Sequence, residues 1–528
     1  MSADGCRPAM PARIVIIGAG FSGAVLAVQL LRQARTALDI TLVNASGRMA
    51  RGLAYGTASP QHLLNVPAAR MSALADDPGH FLRWCRRTEP RTAPEAFVSR
   101  ERYGAYLADL LDAAATTATT ATTATSADTG PGPHRPPPTP PVHSLHRLVD
   151  QALAVRPARD GWTVLLARQP PLPADSVVLA FGHFTPALPL TDAQVRVAGA
   201  QLVPDPWRPG ALAPIGPDDP VLLIGTGLTA LDVTLSLQTA RRQAPVIACS
   251  RRGLPPWAQP EIPMDEASAR RTVAEVLQAG PCDRVPALLR RLRQRLPPRA
   301  ARPLQTPDAA AACNADPGSG TGTGSSALDW RALIAALRPD TVALWQGLPE
   351  AERRRFLRHL RPWWDAGRHL CAPVSHQRWC QAIAQGRVQL LAARVVALER
   401  AGADLVVSLA PRGALQPPLR HRVRWIINCT GPASDPRRTT EPLVRQLLAD
   451  GLIQADALGL GITTAPGPAC RPLGRDGRTR RGLHAIGPLL RADRWEATAV
   501  PELRTLARDL AGQILADPRD LPHPDTGP

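Results

Sequence analysis

The chain has 528 residues, long enough for roughly three domains and a sizeable core. Its 62 basic residues against 44 acidic ones give a formal charge of +18, but every basic residue is an arginine and 57 residues are proline, which fits a GC-rich coding sequence better than a phosphate-binding surface. The arginines are scattered, no nucleic-acid reader module accompanies them, and nine widely spaced cysteines without a C-x-x-C pair exclude a disulfide framework or zinc site and fit a reduced cytoplasm.

In chain order, the first signal is Ala12-Arg13-Ile14-Val15-Ile16-Ile17 running into Gly18-Ala19-Gly20-Phe21-Ser22-Gly23 and then Ala24 to Leu31. The β-branched run suits a parallel strand covered on both faces, and helix formers follow. Gly18 permits the tight turn, Gly20 lets backbone approach a pyrophosphate, and Gly23 lets the helix lie close on the strand. The diphosphate would meet the helix N-terminus at Phe21 and Ser22. Glycines and a serine interrupt the apolar run from Ile14 to Leu31, so no signal peptide or membrane segment is expected there. Asp39 to Asn44 reads as the second parallel strand. Asn44 stands where an acid usually takes the ribose hydroxyls, and an amide lacks the strength of a charge-assisted bond.

The stretch from Arg51 to Met71 has neither helical nor strand period, yet gathers Tyr55, His62, Asn65 and Arg70; it reads as a lining loop or as an ordinary surface loop. Helical periodicity returns from Asp77 to Arg87 and from Ser99 to Leu111. Residues 113–141 are alanine-threonine repeats and then proline-rich sequence, which cannot bury enough apolar surface to order themselves. Gly161 to Ala167 reads as an antiparallel strand, and Ser176 to Leu179 as a buried strand running into Gly182-His183.

The opening pattern then returns. Val221-Leu222-Leu223-Ile224 leads into Gly225-Thr226-Gly227-Leu228-Thr229-Ala230, about 200 residues after the first cradle, with alanine as an allowed third residue. The next strand, Val246 to Cys249, ends in Ser250-Arg251-Arg252. Two guanidiniums at the ribose position suit a 2′-phosphate and so NADPH rather than NADH; they also read as two more solvated arginines. Residues 264–385 are mostly helical and carry Trp364 and His369, while 303–327, with Gly320-Thr321-Gly322-Thr323-Gly324, reads as a linker. Val388 to Leu398 and Asp404 to Leu409 read as strands. Val423 to Asn428 runs into Cys429-Thr430-Gly431 and so repeats the ending at Gly182. Gly482 to Pro488 is a short strand and turn, and Val500 to Leu515 a closing helix that packs on the first domain.

Two cradles in series resemble the flavoproteins with two dinucleotide-binding domains, the first for FAD and the second for NAD(P)H. The motifs Gly52-Leu53-Ala54-Tyr55-Gly56, His62-Leu63-Leu64-Asn65-Val66-Pro67, Ser250-Arg251-Arg252-Gly253, Asn428-Cys429-Thr430-Gly431-Pro432 and Trp495-Glu496-Ala497-Thr498-Ala499-Val500-Pro501 are similar to those of the group that includes bacterial urate hydroxylase and flavin-dependent L-aspartate N-monooxygenase. The resemblance implies an α/β fold with two Rossmann-like domains: a discontinuous FAD domain over 11–212 and 386–516, an inserted NAD(P) domain over 213–385 with a helical insertion, two disordered low-complexity loops, and a flexible tail from 517. It implies that Gly18, Gly20, Phe21, Ser22, Gly23 and Asn44 hold FAD, that His62, Leu64, Asn65 and Val66 run beside the isoalloxazine with Gly431 and Gly487 near the cofactor, and that Gly225, Gly227, Thr229, Ser250, Arg251 and Arg252 receive NADPH. Pro488 departs from the aspartate common after that last glycine. Arg100-x-x-Tyr103-x-x-Tyr106 resembles a helix of N-hydroxylating monooxygenases.

The implied reaction is a monooxygenation: NADPH reduces FAD, the reduced flavin takes up molecular oxygen, and a peroxyflavin passes one oxygen atom to a small amine, amino acid or heteroaromatic substrate. Asn65 would hydrogen-bond the flavin adduct or the nicotinamide and Arg70 would hold a carboxylate, although both residues also suit structural roles. The rival readings are a reductase without oxygen insertion, whose dithiol form would need Cys371 and Cys380, and a non-catalytic nucleotide-binding protein.

Overall fold

The computed structural model describes residues 11–57, 59–120, 143–238, 242–260, 265–296, 330–413 and 416–516. The chain divides into two compact units: residues 1–58, 67–183 and 434–528 in the first, 59–66 and 184–433 in the second.

The first unit is built on a five-stranded parallel sheet in the order β15-β7-β1-β2-β3. Its strands are β1 (Ala12–Ile17), β2 (Leu38–Val43), β3 (Ser144–Leu148), β7 (Ser176–Leu179) and β15 (Leu483–Ala485). β7 is buried at every residue, as an interior strand of a sheet covered on both faces requires. Helix α1 (Phe21–Gln33) packs along α14 (Val500–Ala516), whose Leu503, Leu506, Leu510 and Ile514 are buried; Gln33 Nε2 donates to the Arg508 carbonyl at 3.1 Å. The expected closing helix therefore packs on the first unit. Helices α2 (His80–Thr88), α3 (Arg100–Thr120) and α13 (Pro442–Ala449) complete the layer set, with a small antiparallel sheet of β4 (Ala152–Ala158), β5 (Gly161–Leu166) and β6 (Leu172–Ala174).

The second unit carries a seven-stranded mixed sheet in the order β13-β12-β11-β10-β9-β14-β8. Strands β8 (Leu202–Val203), β9 (Val221–Ile224), β10 (Val246–Ser250), β11 (Val388–Ala401) and β14 (Trp425–Asn428) run parallel, while β11, β12 (Asp404–Pro411) and β13 (Leu419–Val423) form an antiparallel meander. Helix α5 (Leu228–Gln238) follows β9, and α4 (Asp192–Ala198) precedes β8. The helical tract comprises α6 (Glu266–Gln278), α7 (Val285–Gln294), α8 (Trp330–Ala336), α9 (Thr341–Gly347), α10 (Glu350–His359), α11 (Arg361–Arg368) and α12 (Pro373–Ala384). Val273, Leu292 and Leu333 are at the centre of its own core.

The units divide elsewhere than at 212/213 and 385/386. Residues 184–212 and 386–433 join the second unit because β8, β11 and β14 pair with β9 and β10 or extend their sheet. Residues 113–120, expected to be unordered, extend α3; alanine is the best helix former and offsets the weaker threonines. The rest of the first low-complexity stretch (121–141), all of 303–327 and the tail from 517 lie outside the described residues.

Candidate functional site

Both units reverse their strand order at the same place. In the first, β1 leads to β2 and β3 on one side, and β7 returns to the other; in the second, β9 leads to β10 and β11, and β14 returns. A crevice at the carboxyl ends of such a pair is where open α/β sheets bind ligands. The first glycine of each cradle is locked across that reversal. Gly18 has φ 105°, and a Cβ there would lie 2.2 Å from the Ala180 carbonyl oxygen; Gly225 has φ 122°, and a Cβ would lie 2.2 Å from the Cys429 carbonyl oxygen. The two similar strand endings, Ala180 to Gly182 and Cys429 to Gly431, occupy equivalent positions.

The other glycines separate into two kinds. A Cβ at Gly23 would meet the Gly18 carbonyl oxygen at 1.9 Å, so the protein itself demands glycine. Gly20 is different: its φ of −77° suits any residue, and the nearest atom to a Cβ would be the Gly52 Cα at 3.5 Å. At Gly227 nothing stands within 4 Å. Neither of these second glycines is required by a protein neighbour. Helix α1 opens on Gly20 with no side-chain cap and no acid in its first turn, so its leading amides remain available to an anion. The cradles therefore fit a dinucleotide diphosphate.

Around the first cradle, Gly487 (φ 113°) brings β15 to α1: a Cβ there would sit 3.3 Å from Ser22 Oγ and 3.1 Å from the Phe181 carbonyl oxygen. Pro488 then takes the first position of a 3₁₀ turn to Ala492. Asn44 directly follows β2, with its amide nitrogen 3.2 Å from Ser46 Oγ. Phe21 lies edge-on to Tyr55, 6.3 Å between centroids, and Tyr55 packs edge-on against Tyr103 at 4.6 Å. Gly104 lets α3 approach this loop, since a Cβ would meet the Tyr55 carbonyl at 2.3 Å. The Tyr106 hydroxyl accepts from the Ala73 amide at 3.2 Å and lies 3.0 Å from His80 Nδ1. Burial pushes the Tyr55 and Tyr106 hydroxyls up to about 12 and Tyr103 well above its ordinary value. The tyrosine helix is thus a core element whose hydroxyls stay protonated. His183 follows β7 and is exposed. The Arg491 guanidinium stacks 4.1 Å over Trp495.

The His62 to Val66 segment clusters with the second unit. His62 is 5% exposed, with Nε2 2.8 Å from Ser236 Oγ and 3.2 Å from the Asp232 carbonyl, both on α5. Leu64 is buried, and Gln259 donates to the Asn65 carbonyl at 2.9 Å. Gln259 belongs to an extended strip held to the helical tract by Trp257 N to Ala366 O (3.1 Å) and Cys371 N to Trp257 O (2.9 Å). Nothing in the sequence pattern marked Gln259 or Ser236. Arg70 is exposed on a 3₁₀ turn (Ala68–Arg70) of the first unit, so the two catalytic candidates stand in different units.

At the second cradle, Thr226 Oγ1 lies 2.8 Å from Ser250 Oγ, which accepts from the Gly253 amide at 2.9 Å. The Ser250 hydroxyl is therefore committed to the turn, while Arg251 is exposed and Arg252 donates to the His359 carbonyl at 3.1 Å. Thr229 is half-buried in the first turn of α5, and Gly431 has φ 83° with open space around it. His369 lies 3.7 Å from Asp365, and Trp364 packs edge-on to Phe356, so both serve the helical tract. Cys371 is 2% exposed, its thiol faces the Trp257 carbonyl at 3.4 Å, and burial pushes its pKa up to about 12. Cys380 stands instead beside His376 at 3.7 Å.

The fold is an α/β arrangement with two Rossmann-like sheets, of the kind found in flavoproteins that bind FAD and NAD(P). Residues 15–129 match the FAD-NAD(P)-binding family model. Among solved structures, the chain is similar to an ornithine N-hydroxylase from Kutzneria sp. 744 with reduced FAD, NADP+ and L-ornithine, at 14% identity and TM-score 0.56 over 96% of this chain and 99% of that one. It is also similar to the ornithine hydroxylase of Pseudomonas aeruginosa, at 13% identity and TM-score 0.57 over 96% and 99%, and to the L-lysine 6-monooxygenase of Pseudomonas syringae, at 15% and 0.55 over 95% and 98%. No curated protein matches the sequence. Among the described residues no helix is long and apolar enough to cross a membrane, and no group of three metal-ligating side chains gathers.

Proposed function

We propose that this protein is an FAD-dependent, NADPH-consuming monooxygenase that oxidises a small amine or amino acid with molecular oxygen. The observation that carries the reading is the pair of cradles whose second glycines are not demanded by any protein neighbour: a Cβ would make only ordinary contact at Gly20 and none at Gly227. Support comes from the FAD-NAD(P)-binding match over 15–129 and from neighbours of the same fold that hydroxylate ornithine or lysine. Urate hydroxylase and L-aspartate N-monooxygenase extend the substrate classes worth screening to purines and acidic amino acids.

In this reading the first unit takes FAD. Gly18 fixes the turn, Gly20 admits the diphosphate to the amides of Phe21 and Ser22, Asn44 accepts the ribose hydroxyls, and Gly487 lies toward the ribityl chain. The second unit takes NADPH, with its diphosphate on the amides after Gly227 and near Thr229, and with Arg251 and Arg252 on the 2′-phosphate. When bound, the flavin supplies hydride acceptance from NADPH and activation of oxygen. The chain supplies binding, orientation and exclusion of water. Asn65 has its carbonyl fixed by Gln259, and its side chain would hydrogen-bond the reacting end of a cofactor; Arg70 would hold a substrate carboxylate.

The test is anaerobic addition of NADPH to the FAD-loaded protein, followed by oxygen with ornithine, lysine, cadaverine, aspartate or urate in turn. Loss of the flavin absorbance with NADPH, then formation of a hydroxylated product matched to NADPH consumed, is expected. Reoxidation without product for every compound would favour the reductase, and absence of flavin binding would remove the enzymatic reading. The dithiol form of the reductase is disfavoured by Cys371, whose buried thiol stays protonated at neutral pH.

A further inference from the structure

The turn after β10 gathers more positive charge than its own two arginines. Gly253 closes the turn with φ 62°, seated so tightly on β11 that a Cβ would lie 2.9 Å from the Ala392 amide nitrogen. The carbonyl of that same Ala392 accepts the backbone amide of Arg412 at 2.8 Å, immediately after β12. Ala392 is itself the register partner of Ser250. One residue of β11 thus ties Arg412, distant in sequence, to the side of the Ser250-Arg251-Arg252-Gly253 turn.

Among the described residues none of the three guanidiniums pairs with a carboxylate; Arg252 reaches only the His359 carbonyl. This is not the habit of the surrounding meander, where Arg420 meets Glu399 at 2.7 Å and Arg422 meets Asp404 at 2.6 Å. Burial first, then Arg412 and Arg251, lowers the Arg252 pKa, so the three charges feel one another. Like charges held together without an acid are unfavourable until an anion joins them. A phosphate monoester, close to a dianion at neutral pH, offers oxygens that forked guanidiniums match in pairs.

We propose that Arg412 is a specificity-determining residue that completes, with Arg251 and Arg252, a three-guanidinium clamp for the 2′-phosphate of NADPH. The proposal rests on the reading of the second unit as the NADPH site. A nicotinamide dinucleotide with a free 2′-hydroxyl leaves the repulsion unrelieved, so the clamp selects by charge as well as by contact.

The experiment is calorimetric titration of the full-length, FAD-loaded protein with NADP+ and with NAD+, comparing wild type, Arg412→Gln and Arg412→Lys. Arg412 is exposed and its contact to Ala392 is a backbone one, so an unchanged thermal melt is the folding control. Arg412→Gln is expected to weaken NADP+ about tenfold or more, to leave NAD+ unchanged, and to flatten the salt dependence of NADP+ binding; Arg412→Lys restores the charge and part of the affinity. If wild type prefers NADP+ and Arg412→Gln binds it equally well, Arg412 is no part of the clamp while the NADPH reading stands. Equal loss for both dinucleotides also overturns the proposal. A wild type that binds neither, or NAD+ as tightly as NADP+, takes the NADPH reading down with it. Arg251→Gln, which alters no strand, supplies the second variant should Arg412→Gln melt early.

Discussion

Within one short motif, Gly18-x-Gly20-x-x-Gly23, three glycines are kept for three unlike reasons, and substitution separates them. At Gly23 a methyl group would be driven to 1.9 Å from the Gly18 carbonyl, and backbone has no rotamer by which to escape. Gly23→Ala is expected to cost about 1–3 kcal/mol or more, read as a lowered melting temperature without any cofactor present. At Gly20 the same methyl group makes ordinary contact at 3.5 Å with φ already at −77°, so Gly20→Ala should melt within a degree or two of wild type, roughly the scatter of a neutral surface change. Equal destabilisation by the two substitutions would mean that the protein, not a ligand, demands glycine at 20. Cys371 yields a second test at this scale. Buried, with its thiol pushed up to about 12, it should resist alkylation by iodoacetamide at pH 7 in the folded protein and react once the chain is unfolded. Rapid labelling of native Cys371 would reopen the dithiol chemistry.

Elements were legible in the sequence wherever burial imposed an apolar run, and obscure where it did not. β1, β7, β9 and β14 announce themselves because each is packed on both faces. β3 does not: Ser144–Leu148 is an edge strand with a polar, largely open side-chain pattern, and its place depends on β2, distant in sequence. The same limit hid the parts of the candidate site that pairing creates. His62 reaches α5 and Arg412 reaches the turn after β10 only through the tertiary fold, whereas the glycines sit in one local pattern. Asp150 illustrates how such unannounced elements are held. It lies just after β3, 1% exposed, and accepts from the amides of Gln151 (2.7 Å), Gln169 (2.9 Å) and Arg168 (3.1 Å), which fastens the β4–β5 hairpin. Burial alone would raise its pKa; these amides and the Arg168 guanidinium outweigh that and hold it below the ordinary value. A folded pKa below the unfolded one adds stability above about 3.9 that is lost as pH falls through the folded value. Asp150→Asn should therefore melt below wild type at about pH 6, and the gap should narrow as pH falls below about 3.9, where the unfolded wild-type chain takes up a proton that the folded carboxylate resists. A gap that is constant across that range would exclude the linkage.

At the scale of the whole molecule, the chain uses one device twice. Each unit reverses its strand order beside a glycine turn, locks the first glycine against the carbonyl of the returning strand, and leaves the second glycine facing open space or only light contact. If each cradle serves its own dinucleotide, the two binding functions must separate by single substitution. Gly20→Leu fills the first cradle without backbone strain and Gly227→Leu fills the second. A ligand that binds only the folded state adds about 2.7 kcal/mol at a hundredfold excess over its Kd, so thermal shift reads each site without turnover. Gly20→Leu is expected to lose the FAD-induced shift; Gly227→Leu is expected to keep it and to lose NADP+ binding, measured by calorimetry on the FAD-loaded protein. Loss of FAD binding from Gly227→Leu, with its ligand-free melting temperature unchanged, would contradict the assignment of one cofactor to each cradle. A retained FAD shift in Gly20→Leu would place the flavin elsewhere than on α1, because the room that Gly20 leaves is the one feature of that turn which packing within the protein does not explain.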